Sequence, residues 1–148
     1  MHAHSARNIH TKSKQKAFGF ASLNGGTTGG AGGTTTTVSD YAAFTEAVSN
    51  DEPKVVVVSG AIKEAADQVK VGSNTSILGQ DDSAALDGFG LLVKEKENVI
   101  IRNLGVRNVL ADNGDAIGVR MFFSPFFPSF LSTFLEFSVH DGYRDAVV

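Results

Sequence analysis

The sequence predicts an all-β chain wound as a parallel β-helix, and three observations carry that prediction. Residues 55 to 119 are Val/Ile-rich runs broken by Gly, Asn and Asp, the composition of short strands separated by turns. No convincing helix lies between the later runs, so the crossover helices of an ordinary parallel sheet are missing. Asn74-Thr75-Ser76-Ile77 returns as Asn98-Val99-Ile100-Ile101, a spacing of 24 residues that falls in the range of solenoids. In such a coil Asn74 and Asn98 stack at one bend, and their amides hydrogen-bond along the stack. Gly60, Gly79 and Gly105 mark further bends. On periodicity alone, a small β-sandwich with a chance Asn-x-x-Ile echo fits the same runs.

Taken in order, the elements begin with residues 1 to 17, a polar and basic segment with no apolar stretch of signal-peptide type. Read literally, that start belongs to a cytosolic protein. His2, His4 and His10 have no regular metal-ligand spacing and read as solvated. Residues 18 to 37 are rich in Gly, Thr and Ser, with Gly pairs at 25/26, 29/30 and 32/33. They lack the Gly-Lys-Ser/Thr end of a phosphate loop and the dinucleotide fingerprint, so they read as an irregular surface wrap or linker. Residues 39 to 50 predict one short helix. Ser39 or Asp40 caps it, Tyr41, Phe44 and Val48 form its apolar stripe, and Pro53 ends the segment. A single amphipathic helix ahead of strands is a lid over an apolar end.

The balance of residues narrows the function classes. The chain has 148 residues, about one domain, with 42% hydrophobic and 20% charged residues, which is globular rather than disordered. A net charge of −3 with scattered bases argues against nucleic acid. The chain contains no cysteine, which excludes disulfides and thiolate metal sites but leaves the compartment open.

Residues 121 to 148 differ from the rest. Seven of the eleven Phe lie between 122 and 137, Lys is absent from 121 onward, and Pro125 and Pro128 interrupt the run. Those prolines make residues 121 to 137 a poor helix and a poor central strand. The run is also too broken for a membrane span. Phe, Ser, Pro and Leu share pyrimidine-rich codons, and Arg120-Met121-Phe122 can be encoded across a splice-donor-like sequence. The expectation is therefore a segment from about Arg120 that arises by intron read-through or a frame error. The alternative is an exposed Phe-rich patch for a membrane or a partner.

The segments AFGFASLNGGTTGGAGG, SNTSILGQ, ALDGFGLLVKEKENVIIRNLGVRNV and NGDAI, in that order, closely resemble the fungal-type pectate lyases of polysaccharide lyase family 1. The resemblance covers residues 17 to about 119. It implies a right-handed parallel β-helix, here incomplete and of few rungs, with one short N-terminal capping helix. It divides the chain into a polar tail or pre/pro remnant at 1–17, the N-terminal part of the β-helix at 18–120, and a non-family tail at 121–148. It also implies a secreted monomer that cuts polygalacturonate by calcium-assisted β-elimination, with no membrane or nucleic-acid partner.

The same resemblance places a Ca²⁺ ligand at the NGDAI segment, on Asp115, with the nearby Asp112 as a second candidate. Read on its own, Asp115 after Asn-Gly is an ordinary turn residue at a strand start. The family's remaining acidic ligands and its catalytic arginine follow a Val-Trp-Val-Asp-His type strand. This chain has no Trp, and Arg120 and Arg144 are not at the catalytic position. The expectation is a truncated, inactive lyase chain of low solubility, although the apolar tail could cover the end of the coil. The competing readings are a non-catalytic β-helical binding module for acidic cell-wall polysaccharide and a calcium-independent pectin lyase relative. Asn74-Thr75-Ser76 is also a glycosylation sequon, but an Asn committed to a ladder reads as structural.

Overall fold

A computed structural model describes residues 25–120 and the two strands Glu136–His140 and Tyr143–Val147. The segment 1–17 with His2, His4 and His10, and the Phe-rich run 121–135, lie outside the described residues. Strand β1 (Thr34–Val38) leads into helix α1 (Tyr41–Val48). The coil follows as β2 (Lys54–Val58), β3 (Ala61–Lys63) and β4 (Val69–Lys70), then β5 (Thr75–Gly79), β6 (Ala85–Asp87) and β7 (Leu91–Lys94). Next come β8 (Val99–Arg107), a short 3-10 turn (Ala111–Asn113) and β9 (Ile117–Arg120). The hairpin strands Glu136–His140 and Tyr143–Val147 are β10 and β11.

These strands form three parallel stacks. Sheet A is β1-β2-β5-β8, sheet B joins β3, β6 and the second half of β8, and sheet C is β4-β7-β9. Each rung contributes one strand to each stack, with turns in place of crossover helices, and right-handed winding follows the usual hand of parallel connections. The chain is a parallel β-helix. The sandwich alternative fails because successive strands of a stack pair in parallel. The predicted repeat is the observed register: Thr75↔Val99, Ser76↔Ile100 and Ile77↔Ile101.

The core runs along the axis of the coil. Val56, Val58, Ile77, Leu86, Leu91, Val93, Val99 and Ile101 point inward and are buried. Sheet A is also covered on its outer side, where Val55, Val57 and Leu78 make a second apolar cluster. Burial on both faces explains the uninterrupted run of valines in β2, since alternation is needed only where one face meets water. Helix α1 closes the first end of the coil. Asp40 caps it by accepting the Ala43 N–H at 2.9 Å. Phe44 and Val48 are fully buried, and Tyr41 packs edge-on against Phe89 at 5.0 Å between ring centroids.

Two details correct the sequence reading. The Gly/Thr-rich segment is more than a linker, because Thr34–Val38 is a strand in register with β2 and Gly29 and Gly30 are buried. Gly30 N–H donates to the Ser76 hydroxyl at 2.9 Å. A Cβ on Gly30 would lie 1.7 Å from the Lys54 carbonyl oxygen, so only glycine permits this approach. The second correction concerns Gly105. The turn from sheet A to sheet B falls at Asn103, whose φ of 52° is left-handed, while Gly105 lies within β8 in register with Ala85. Asn tolerates that region better than other side chains do.

Beyond β8 the order of sheet A changes sense. Strand β11 pairs antiparallel with β8 through Arg144↔Leu104, Ala146↔Ile101 and Val147↔Ile100, and β10 pairs antiparallel with β11. The prolines of the Phe-rich run precede this hairpin, so the strand-breaking argument does not reach it.

Candidate functional site

The loop carrying Asp112 and Asp115 is built between the end of β8 and the start of β9. At its base, Asp87 on β6 stands in register with Arg107 on β8. Arg107 Nε donates to Asp87 at 3.1 Å and Asn108 Nδ2 donates to it at 2.8 Å. The Asn108 hydrogen bond, followed by the hydrogen bond from Arg107 and then its charge, holds the Asp87 carboxyl below the ordinary aspartate range. The short 3-10 turn then carries Asp112, and Gly114 leaves it with φ 92°. A side chain at 114 would be strained there and would also meet Gln68 at 2.9 Å. Gly114 thus sets the direction in which Asp115 enters β9.

The loop is fastened to the rungs beneath it. Gln68 Nε2, from the rung of β4, donates to the Leu91 carbonyl at 3.2 Å and to the Asp115 carbonyl at 2.8 Å. The Leu91 N–H donates to the Ala116 carbonyl at 2.9 Å. With its backbone held this way, the Asp115 side chain is exposed, as is that of Asp112. The sequence reading passed over Gln68. A Gln one residue before a strand carries no periodic signal, and only the stacking of rungs reveals that one amide spans three of them.

Calcium takes six to eight oxygen ligands. Among the described residues no group of three or more His, Asp or Glu comes together to hold a metal ion. Asp115 and Asp112 therefore offer at most part of a donor set and do not amount to a calcium cage. Other carboxylates are committed elsewhere: Asp87 to Arg107 and Asn108, and Asp51 to Lys96 at 2.6 Å. No helix among the described residues is long and apolar enough to cross a membrane.

A second polar system crosses the bend before β5 and β8. Asn74 (φ 55°) and Asn98 (φ 59°) both adopt the left-handed conformation. Asn98 Nδ2 donates to Asn74 Oδ1 at 2.9 Å, and Asn74 Nδ2 donates to the Asp51 carbonyl at 3.0 Å. The predicted stack is present, and it continues into the glycine wrap: Thr28 and Gly29 N–H donate to Asn98 Oδ1 at 2.7 and 2.8 Å. The Asn74 amide of the sequon is thus engaged on both sides.

The chain is thus a parallel β-helix with an exposed acidic loop where β9 begins, and comparison with known proteins is specific. The family model described as pectate lyase matches residues 6–121. The chain belongs to that family. It is 75% identical over 104 residues to the pectate lyase A of Aspergillus niger, a match covering 70% of this chain and 32% of the relative. It is 78% identical over 104 residues to the "Probable pectate lyase A" of Aspergillus flavus, again 70% and 32%. The pectate lyase A of Emericella nidulans matches at 71% over 105 residues, or 71% and 32%. The chain thus spans about a third of the length of these relatives.

Proposed function

We propose that this chain is the first part of a secreted pectate lyase that cleaves polygalacturonate by calcium-assisted β-elimination, and that by itself it is inactive. The observation that supports the reading is the family match over residues 6–121, which runs through the acidic loop. Asp115 is assigned as one calcium ligand, and Asp112 as a subsidiary one. The other ligands and the base are assigned to no described residue. The segment 121–148 is read as non-family sequence from read-through or a frame error. Sequencing the spliced transcript across codon 120 tests that point, because a frame that encodes the Phe-rich run as given removes it.

The test of function is the absorbance of unsaturated uronide released from polygalacturonate by the purified chain, with and without calcium. No calcium-dependent turnover is expected. Turnover above background overturns the inactive reading, and turnover unaffected by a chelator favours a calcium-independent relative.

A further inference from the structure

Two asparagines are followed by glycine, at 24–25 and 113–114, and only the second pair lies wholly within the described residues. An Asn-Gly step is chemically unlike other asparagine steps. The main-chain nitrogen of the following residue can attack the side-chain amide carbon and close a succinimide ring, and glycine has no Cβ to screen that nitrogen. Asn113 ends the 3-10 turn Ala111–Asn113, and Gly114 leaves it at φ 92°. The Asn113 side chain is half-buried and makes no hydrogen bond to any described residue, while Gly114 is exposed. The Gly114 N–H reaches the Ala111 carbonyl only at 3.4 Å, beyond the usual length of such a bond. Both reacting groups are therefore open to water and loosely held.

The other described asparagines are restrained in two ways. Asn50, Asn74, Asn98, Asn103 and Asn108 precede Asp, Thr, Val, Leu and Val, whose side chains crowd the attacking nitrogen. Their amides are also engaged. Asn50 Oδ1 accepts from Lys54 Nζ at 2.9 Å, and Asn74 Nδ2 donates to the Asp51 carbonyl. Asn98 Nδ2 donates to Asn74, Asn103 Nδ2 to the Gly79 carbonyl at 3.2 Å, and Asn108 Nδ2 to Asp87. The Asp87-Gly88 step has the unscreened nitrogen, but an ionised carboxylate is a poor electrophile. Its Gly88 N–H is also held by the Arg107 carbonyl at 3.0 Å.

We propose that Asn113 is a site of spontaneous modification, at which the chain's own Gly114 nitrogen turns an amide into a carboxylate. The Gly114 nitrogen loses its proton and bonds to Asn113 Cγ; the Cγ–Nδ2 bond breaks, and ammonia leaves with that proton. Water then opens the ring. Cleavage between the nitrogen and Cγ restores the peptide with aspartate at 113. Cleavage between the nitrogen and the main-chain carbonyl carbon leaves the chain running through the side chain, as isoaspartate. Either product puts one more negative charge beside Asp112 and Asp115, on a chain of net charge −3. The two products act differently on the rungs. Isoaspartate adds a methylene to the main chain ahead of Gly114, where a Cβ on Gly114 would already meet Gln68 at 2.9 Å. Lengthening the chain there shifts the loop away from Gln68 Nε2, which holds the Asp115 carbonyl at 2.8 Å. Aspartate leaves that contact in place. The site rests on the geometry of this loop and not on the lyase reading.

The test is incubation of the full chain in mildly alkaline buffer, followed by proteolytic peptide mapping with mass spectrometry. Labelling by an isoaspartate-specific methyltransferase separates the two products. Asn113 is expected to lose its amide ahead of Asn50, Asn74, Asn98, Asn103 and Asn108. The loss should quicken as the pH rises, because the attacking nitrogen must give up its proton. Asn113→Gln, which needs a larger ring, should abolish the change at 113. Asn113→Asp carries the product charge on an ordinary peptide. Its Leu91 N–H, which donates to the Ala116 carbonyl, should exchange with solvent as slowly as in the native chain, whereas in the isoaspartate fraction it should exchange faster. Retention of the Asn113 amide, or loss no faster than at Asn74 and Asn98, overturns the site. Unchanged exchange at Leu91 in the isoaspartate fraction overturns its effect on the rungs. None of these readouts involves turnover of polygalacturonate, so failure here and failure of the lyase reading are distinguishable.

Discussion

At Asn98 a left-handed backbone and a fully used amide coincide. The side chain donates to Asn74 and to the Gly29 carbonyl, and accepts from the Thr28 and Gly29 N–H groups. Replacing it with Ala removes these partners and puts a Cβ with no local hydrogen bond at φ 59°. Asn98→Ala is expected to cost about 2–3 kcal/mol in urea unfolding. Asn98→Gly keeps the hydrogen-bond loss but removes the strain, so it should cost less than Asn98→Ala. Charge at single residues also fixes the response to acid. Asp51 is held below the ordinary aspartate range, first by its hydrogen bond from Lys96 and then by the Ser73 N–H; Asp87 is lowered by Asn108 and Arg107. A folded-state value below the unfolded one gives stability that is present above about pH 3.9 and lost as the pH falls through the folded value. Unfolding midpoints should therefore drop on acidification below about pH 4. In Asp51→Asn/Asp87→Asn that drop should be shallower. Lys54 has the opposite sign of cost. Burial lowers its pKa against the pull of Asp51 and Glu52, and its ammonium is held by the Asn50 and Glu52 carbonyls and Asn50 Oδ1. The cost of charging it persists at neutral pH and is relieved only as the pH rises through its folded value towards the ordinary lysine range.

Helix α1 was largely legible: a cap at Ser39 or Asp40, which the structure gives to Asp40, the Tyr41-Phe44-Val48 stripe and its closure of one end follow from local periodicity and capping chemistry. Phe44→Ala should cost about 3–5 kcal/mol, because a fully buried ring leaves a cavity at the coil end. The 24-residue echo was legible for the same reason, since a stacked corner repeats its residue type. Strand β1 was not. Thr35 and Thr36 are good strand formers, but glycines precede them and nothing local says that a wrap ends by joining β2. The wrap depends on close approach, so Gly30→Ala should displace it from Ser76 and Lys54. Faster amide exchange at Gly29–Ala31 in that variant, with Ile77 and Ile101 still protected, is the expected signature. The turn at Asp115 was legible from Asn-Gly ahead of a strand, yet its fastening to Gln68 was not, because that contact joins residues 47 apart in sequence.

At the scale of the whole molecule, the family follows from residues 6–121 and the coil from residues 25–120, and the hairpin β10–β11 follows from neither. By pairing antiparallel with β8 it occupies the edge of sheet A, where unpaired N–H and C=O groups would otherwise template association. A chain ending at Arg120 should therefore scatter more light at equal concentration than the 148-residue chain, and equal scattering would show that the hairpin gives no such protection. Stacked repeats usually couple only to their nearest neighbours, so a solenoid can peel one layer at a time. Gln68 breaks that rule, since one amide group touches the rung below the loop and the loop itself while belonging to a third. The last layer cannot lift away without disturbing the first. Under steady pulling, the coil should then give way in one larger step where a simple stack would release its layers singly.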